Sequence, residues 1–495
     1  MKKTFLLSAL AFLSVVLVCG CQRSGRPDPD PVKTIVTGKI INRDVYPDHK
    51  TVTIKVQDFR GTQSSRGQGI QYVDTIRDDG TFRIEFDLFI TQDIAFDPKV
   101  GSLIARPGDS IYIDIDFRNI GTMNFSGDFA KANQDYRRYV RSYYALDYYR
   151  NAGNINDDLS FLVFCDSVRE VMYAKREEYI KERDPEGVVI NWAGQFIDIQ
   201  HSLVIFNRVF RNLQMSRSQG EEWIMPQEYE AAIHNMAHLF NDSLMTSNAY
   251  TLIRYLLTKQ TWNHYNDMDS PLEEILHHMV NDVTGNNSNE LFRELLTGAV
   301  FYQDLANNNA GFFENNPELF TKYITRPFIS EPLAMYYANV KYHNENPEIR
   351  HYKIMDRLGN SPGRVLLDSL LDAHKGKVVY IDFWATWCGP CIEAMPGANK
   401  MVQQYAGENI EFVFLCMGVD ENQWAEIIRS LDMGGVHHYT GNRQEINSLM
   451  SGFQIMGIPY YALVNQAGYL IDSGNHLSPG SPVTLGKIND LVNNP

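Results

Sequence analysis

The chain is poor in cysteine, poor in positive charge and poor in metal-ligand spacing. Six cysteines in 495 residues are too few for the disulfide framework that replaces a core in small secreted domains. Lysine and arginine number 45 against 60 aspartates and glutamates, a formal charge of −15. The mean surface field therefore repels phosphate, no basic patch offsets it, and no nucleic-acid partner is expected. Metal ligands are equally sparse. His234 and His238 stand four apart but lack the glutamate of the zinc-protease motif and a third ligand, while His277 and His278 would point about 100° apart on a helix. Asp79 lacks the other oxygen ligands of a calcium loop and reads as part of a turn. No metal site is expected. What is present, 44% hydrophobic and 12% aromatic residues with 21% charged, suffices to bury cores. At this length one core is not enough, and three domains are expected.

Lys2 and Lys3 precede an apolar run over residues 5–18, the charged and hydrophobic parts of a secretory signal, too short to span ~30 Å of hydrocarbon comfortably. The run ends in Val18, Cys19, Gly20, Cys21, which resembles the bacterial lipobox. Residues 1–20 would then be a lipoprotein signal and Cys21 the lipidated mature N-terminus, giving a membrane anchor without a transmembrane helix. Pro27, Pro29 and Pro31 make residues 21–32 an extended tether. Residues 33–125 alternate with period two: Phe82, Ile84, Phe86 and Leu88, then Ile111, Ile113, Ile115 and Phe117, face one way. Turn residues Asp78, Asp79, Gly80 and Pro107, Gly108, Asp109 precede these strands, so an antiparallel β-sandwich is expected. Residues 126–350 change to helical period, as in the stripe Phe161, Phe164, Cys165, Val168, Val171, Met172. Asp157 and Asp158 open one helix, and Pro327 and Pro332 punctuate the end of this all-α middle domain. Its tyrosines, among them Tyr136, Tyr139, Tyr143 and Tyr144, read as packing.

Residues 363–495 alternate buried-strand runs (378–383, 410–417, 460–464 with the hairpin return 469–471) with helical stretches (392–405, 423–431, 444–453), an α/β pattern. Cys388, Gly389, Pro390, Cys391 lies directly after one strand and before one helix, the setting in which C-x-x-C reads as redox-active. Zinc needs four ligands and finds no second pair. A static disulfide across so small a loop would stabilise the fold weakly. At a helix N-terminus, unsatisfied N–H groups and the positive dipole end favour a thiolate at Cys388, which becomes the nucleophile. Cys391, one turn on, keeps its proton until it resolves the mixed disulfide. Pro390 is tolerated in the first turn. Cys165 and Cys416 lie in apolar runs and read as inert thiols.

The run Ile381, Asp382, Phe383, Trp384, Ala385, Thr386, Trp387, Cys388, Gly389, Pro390, Cys391 resembles the active-site strand and loop of the thioredoxin family. Pro396 resembles its helix proline, and Gly457, Ile458, Pro459 its cis-proline loop. The longer stretch between Cys391 and Pro459, with the lipobox, resembles the TlpA-like, membrane-tethered branch of extracytoplasmic thiol-disulfide oxidoreductases, as on Bacteroidetes lipoproteins. The resemblance implies a C-terminal α/β thioredoxin-like fold and a redox-active Cys388–Cys391 disulfide with no other cofactor. It also implies a proton-moving role for Asp382. Trp387, Gly389, Pro390, Ile458 and Pro459 would meet the substrate, with Trp384 and Trp387 either framing the sulfurs or simply packing. It further implies protein-disulfide substrates in the cell envelope, a membrane electron donor, and a reductase, because the Gly-Pro dipeptide matches the reducing thioredoxin. The resulting expectation is a periplasm-facing, lipid-anchored oxidoreductase. The alternative is an envelope binding or scaffold lipoprotein whose thioredoxin-like domain is a docking module. A peroxidase would need an unpaired peroxidatic cysteine instead.

Overall fold

A computed structural model describes residues 33–60, 69–97, 99–142, 155–219, 224–229, 239–258, 289–306, 309–418, 420–455 and 457–493. Cys21 with its tether, Tyr143, Tyr144 and the four histidines 234, 238, 277 and 278 lie outside these residues. The described residues divide into two compact units, one within Met1–Ala306 and Gly311–Tyr336, the other within Asn307–Ala310 and Tyr337–Pro495.

In the first unit, period-two patterning becomes two four-stranded sheets. One has the order β4 (Thr81–Phe86), β1 (Thr34–Ile41), β7 (Ser110–Asp116), β8 (Asn124–Gly127); the other β3 (Ile70–Thr75), β2 (Thr51–Val56), β5 (Gln92–Phe96), β6 (Gly101–Ala105). Phe82, Ile84 and Phe86 of β4 share one core with Ile111, Ile113 and Ile115 of β7 and with Val52, Ile54 and Val56 of β2. Between β3 and β4, Gly80 takes φ +83° and donates its N–H to Arg77 O at 2.9 Å, a turn geometry that glycine adopts without penalty. The expectation of a purely antiparallel sandwich is corrected at one pairing: β1 runs parallel to β7. Alternation reports which face is buried but not strand direction, and parallel neighbours need only a long connection, here the whole span from β2 to β6.

The helices of this unit include Ala130–Ser142, Asp158–Arg183, Gly187–Gln219, Ser247–Thr258 and Glu290–Ala306. Asp157 caps the second as expected, accepting the Ser160 N–H at 2.7 Å. Along that helix Phe161, Cys165, Val168 and Met172 are buried, whereas Val171 is exposed. Ten residues beyond Phe161, Val171 is turned about 80° off the stripe. Pro332 does not end a helix: Pro327–Glu345 runs through it. The lost N–H bond falls near the N-terminal end, where Phe328, Ile329 and Leu333 are buried. Tyr136 and Tyr139 pack edge-on against Trp192, the closer pair with centroids 4.6 Å apart. Helices and sheet are joined by polar contacts. Asn133 bonds both the N–H and the C=O of Ile104 at 2.9 Å. The buried carboxylate of Asp93 accepts from Trp192 Nε1 and Ser247 N at 2.9 Å and from Ser247 Oγ at 2.6 Å.

The second unit is a five-stranded sheet of order β11 (Val436–Thr440), β10 (Ile410–Met417), β9 (Val378–Trp384), β12 (Tyr460–Val464), β13 (Leu470–Gly474). Strands β9, β10 and β11 run parallel, while β12 is antiparallel to β9 and β13. Every residue of β9 is buried, as a central strand with both faces covered requires. Val379, Ile381 and Phe383 pack with residues of helices Pro347–Leu358, Pro362–Ala373 and Arg443–Phe453. Val378, Tyr380 and Trp384 pack on the other face with Cys391, Met395, Ala398 and Met401 of helix Gly389–Gln404 and with Ile488 of Pro482–Asn493. The sequence pattern missed β11. Its residues Val-His-His-Tyr-Thr are mostly half-buried, as an edge strand allows, and show no apolar alternation.

Candidate active site

The site is assembled where β9 ends. After Trp384, Cys388 turns the chain into the helix, donating its N–H to Ala385 O at 3.0 Å and standing as the N-cap of Gly389–Gln404. Pro390 lies within the first turn. Cys388 and Cys391 are joined by a disulfide with Cα atoms 5.3 Å apart. The Cys391 N–H points at Cys388 Sγ, 3.3 Å away. This is the direction in which the helix's first N–H groups favour negative charge on that sulfur once the disulfide opens. Both cysteines are buried, whereas Trp387 is 69% exposed and Gly389 and Pro390 are exposed. A Cβ at Gly389 would meet nothing within 4 Å, so this backbone is open to an approaching chain. Trp387 is thus largely in solvent, while Trp384 is wholly buried in the apolar cluster that also holds both cysteines. Ile458 packs against the apolar cluster that holds both cysteines, and the Ile458–Pro459 peptide bond is cis. Pro396 lies inside the 389–404 helix.

Asp382 sits between Tyr380 and Trp384 in the period-two row that faces this helix. Its carboxyl is buried, and burial alone pushes its pKa up from 3.8 to about 8, because the charged form is desolvated. Its Oδ1 has no hydrogen-bond partner among the described residues. Strand pairing sets Tyr461 of β12 directly opposite Asp382. Sequence reasoning missed this tyrosine, since the only local signal is its place two residues beyond Pro459. Burial pushes the thiols of Cys416 and Cys165 up to about 12, which keeps both protonated and unreactive at neutral pH. Among the described residues no group of three or more His, Cys, Asp or Glu is arranged to hold a metal ion, and no helix is long and apolar enough to cross a membrane.

Residues 376–470 match the family described as thioredoxin-like. The chain is 49% identical over 39 residues to a thioredoxin of Coprinus comatus, covering 8% of this chain and 37% of the relative. It is 32% identical over 59 residues to the thiol-disulfide oxidoreductase ResA of Bacillus cereus, 12% of this chain and 34% of the relative. The chain thus spans about a third of the length of these curated relatives. Among solved structures, a candidate thiol-disulfide oxidoreductase from Bacteroides vulgatus aligns at 33% identity and TM-score 0.23, covering 25% of this chain and 78% of that one. The C-terminal part of the chain thus holds a thioredoxin-like domain, and its relatives include thiol-disulfide oxidoreductases.

Proposed function

We propose that the protein is an extracytoplasmic thiol-disulfide oxidoreductase that reduces protein disulfides through Cys388 and Cys391. The observation that carries this reading is the Cys388–Cys391 disulfide at a helix N-terminus above a buried, ionisable Asp382. In the reduced protein, Cys388 thiolate attacks a substrate disulfide, forming a mixed disulfide and releasing one substrate thiolate. Cys391 then gives its proton to the Asp382 carboxylate and attacks Cys388 Sγ. The mixed disulfide breaks, the second substrate thiolate leaves, and the Cys388–Cys391 bond forms. Two electrons pass from dithiol to substrate. Trp387, Gly389 and Pro390 give the substrate an exposed lip, and Ile458 and Pro459 offer backbone to an extended segment.

The reducing direction rests on the Gly389-Pro390 dipeptide, which matches the family member with a potential near about −270 mV rather than the oxidant near about −120 mV. Lipidation at Cys21, a TlpA-like place in the cell envelope facing the periplasm and re-reduction by a membrane donor complete the reading; the lipobox and the C-x-x-C context support them. The test is insulin reduction by the full chain with dithiothreitol as donor. The wild type is expected to precipitate the insulin B chain and Cys388→Ser to fall to the uncatalysed rate. Equal rates would favour a docking module instead. A dithiol potential nearer about −120 mV would reverse the direction.

A further inference from the structure

Three polar atoms on the sheet face that packs with helix Gly389–Gln404 are buried without a hydrogen-bond partner among the described residues: Asp382 Oδ1, the Tyr461 hydroxyl and Trp384 Nε1. Asp382 and Tyr461 are directly paired across β9 and β12, so their side chains stand on the same face with Cβ atoms ~4.5–5.5 Å apart. They are 2% and 1% exposed. The Tyr461 ring stacks on Tyr380, centroids 5.7 Å apart at 26°, and this fixes the direction of its hydroxyl. A buried acceptor and a buried hydroxyl left unsatisfied in one apolar core are each unfavourable, and the strand pairing sets the two side by side. A single shared water between the two would satisfy both.

We infer that Tyr461 is a positioning residue for the dithiol reaction: its hydroxyl donates to the Asp382 carboxylate, directly or through one shared water, at the moment Asp382 has lost its proton. The inference rests on the oxidoreductase reading. Asp382 takes the Cys391 proton as carboxylate and returns it as acid, so a donor that favours the carboxylate sets the pH at which the base form is available. Among the described titratable groups on the same face, Tyr461 is the one paired directly with Asp382. On β13, Asp472, opposite Leu463, is held by His476 Nε2 at 2.9 Å and Lys487 Nζ at 3.1 Å, and on β11, His437, opposite Phe414, bonds Met433 O and Gly434 O through Nε2. On β9, the Tyr380 hydroxyl is committed to Leu477 O at 2.6 Å. On β10, Phe414 pairs with Asp382, and Cys416 beyond it is held protonated by burial. On the helix, Cys388 and Cys391 are bonded to each other.

The test is the infrared carboxyl band of the oxidised full chain, assigned by its loss in Asp382→Asn and titrated from pH 5 to 10. In Tyr461→Phe, which keeps the ring, the Asp382 midpoint is expected to rise by about one pH unit, because a hydrogen bond to the charged form is lost. Tyr461→Leu is expected to give a rise of similar size. The ascending limb of the pH profile of insulin reduction should move to higher pH with it, and in an Asp382→Asn background Tyr461→Phe should shift nothing further. An unchanged or lowered midpoint in Tyr461→Phe overturns the inference, as does a rise with leucine but not phenylalanine, which would assign the effect to packing. The band titration needs no turnover, so an inactive protein would overturn the oxidoreductase reading and leave this result standing.

Discussion

Asp382 gives the sharpest quantitative test, because a buried carboxyl without a charged partner among the described residues must destabilise the fold at neutral pH. Its pKa stands at about 8 in the folded chain against an ordinary 3.8. Below about pH 4, folded and unfolded chains both hold the proton and the burial carries no charge. As pH rises, the unfolded carboxyl ionises in water while Asp382 stays protonated, so stability falls from about pH 4 until it levels off above about pH 8. About three pH units separate 3.8 from pH 7, and at about 1.4 kcal/mol for each the destabilisation is ~4 kcal/mol. Asp382→Asn keeps the shape and removes the ionisation. It is expected to be ~4 kcal/mol more stable than wild type at pH 7 and equal to it near pH 4. The assay is hydrogen exchange of peptides covering β9 and β10 in the oxidised chain, corrected for the intrinsic pH dependence of exchange, because this probe reads the second unit alone. Equal protection at pH 7 would refute the reasoning. So would a gain of the same size at pH 4, which would mean that packing, not charge, separates the variants.

Asp93 holds three donors from two helices against β5; Asp93→Ala leaves the buried Trp192 N–H and the half-buried Ser247 donors without their acceptor and is expected to destabilise the first unit by about 3 kcal/mol, read as a lowered urea midpoint of the full chain. No change would mean that water replaces the carboxylate. Cys21→Ser is expected to move the protein from the membrane to the soluble fraction of cells and to abolish labelling by a palmitate analogue; unchanged membrane recovery without label in the wild type would remove the lipid anchor from the reading.

Much of the site was legible because its signals are local. A C-x-x-C pair between an apolar strand and a helical stretch places one sulfur at the N-cap, and Asp382 inside that strand stands out because an ionisable group there is unfavourable. The inert character of Cys416 likewise followed from its apolar neighbours. The two tryptophans differ for a local reason as well. Trp384 belongs to the strand and is buried, Trp387 to the loop and is exposed, and composition treats both alike. Edge strand β11 was invisible because half-buried histidines carry no alternation.

By itself the sequence determined most of the strands and helices, edge strand β11 excepted, and which two sulfurs can close a ring, since turn chemistry, capping and side-chain period act over a few residues. Tertiary structure alone decided that β1 lies parallel to β7 and that Tyr461 stands opposite Asp382. Strand register is set by packing between segments far apart in the chain, and a shift of one residue would have turned Tyr461 to the other face of the sheet.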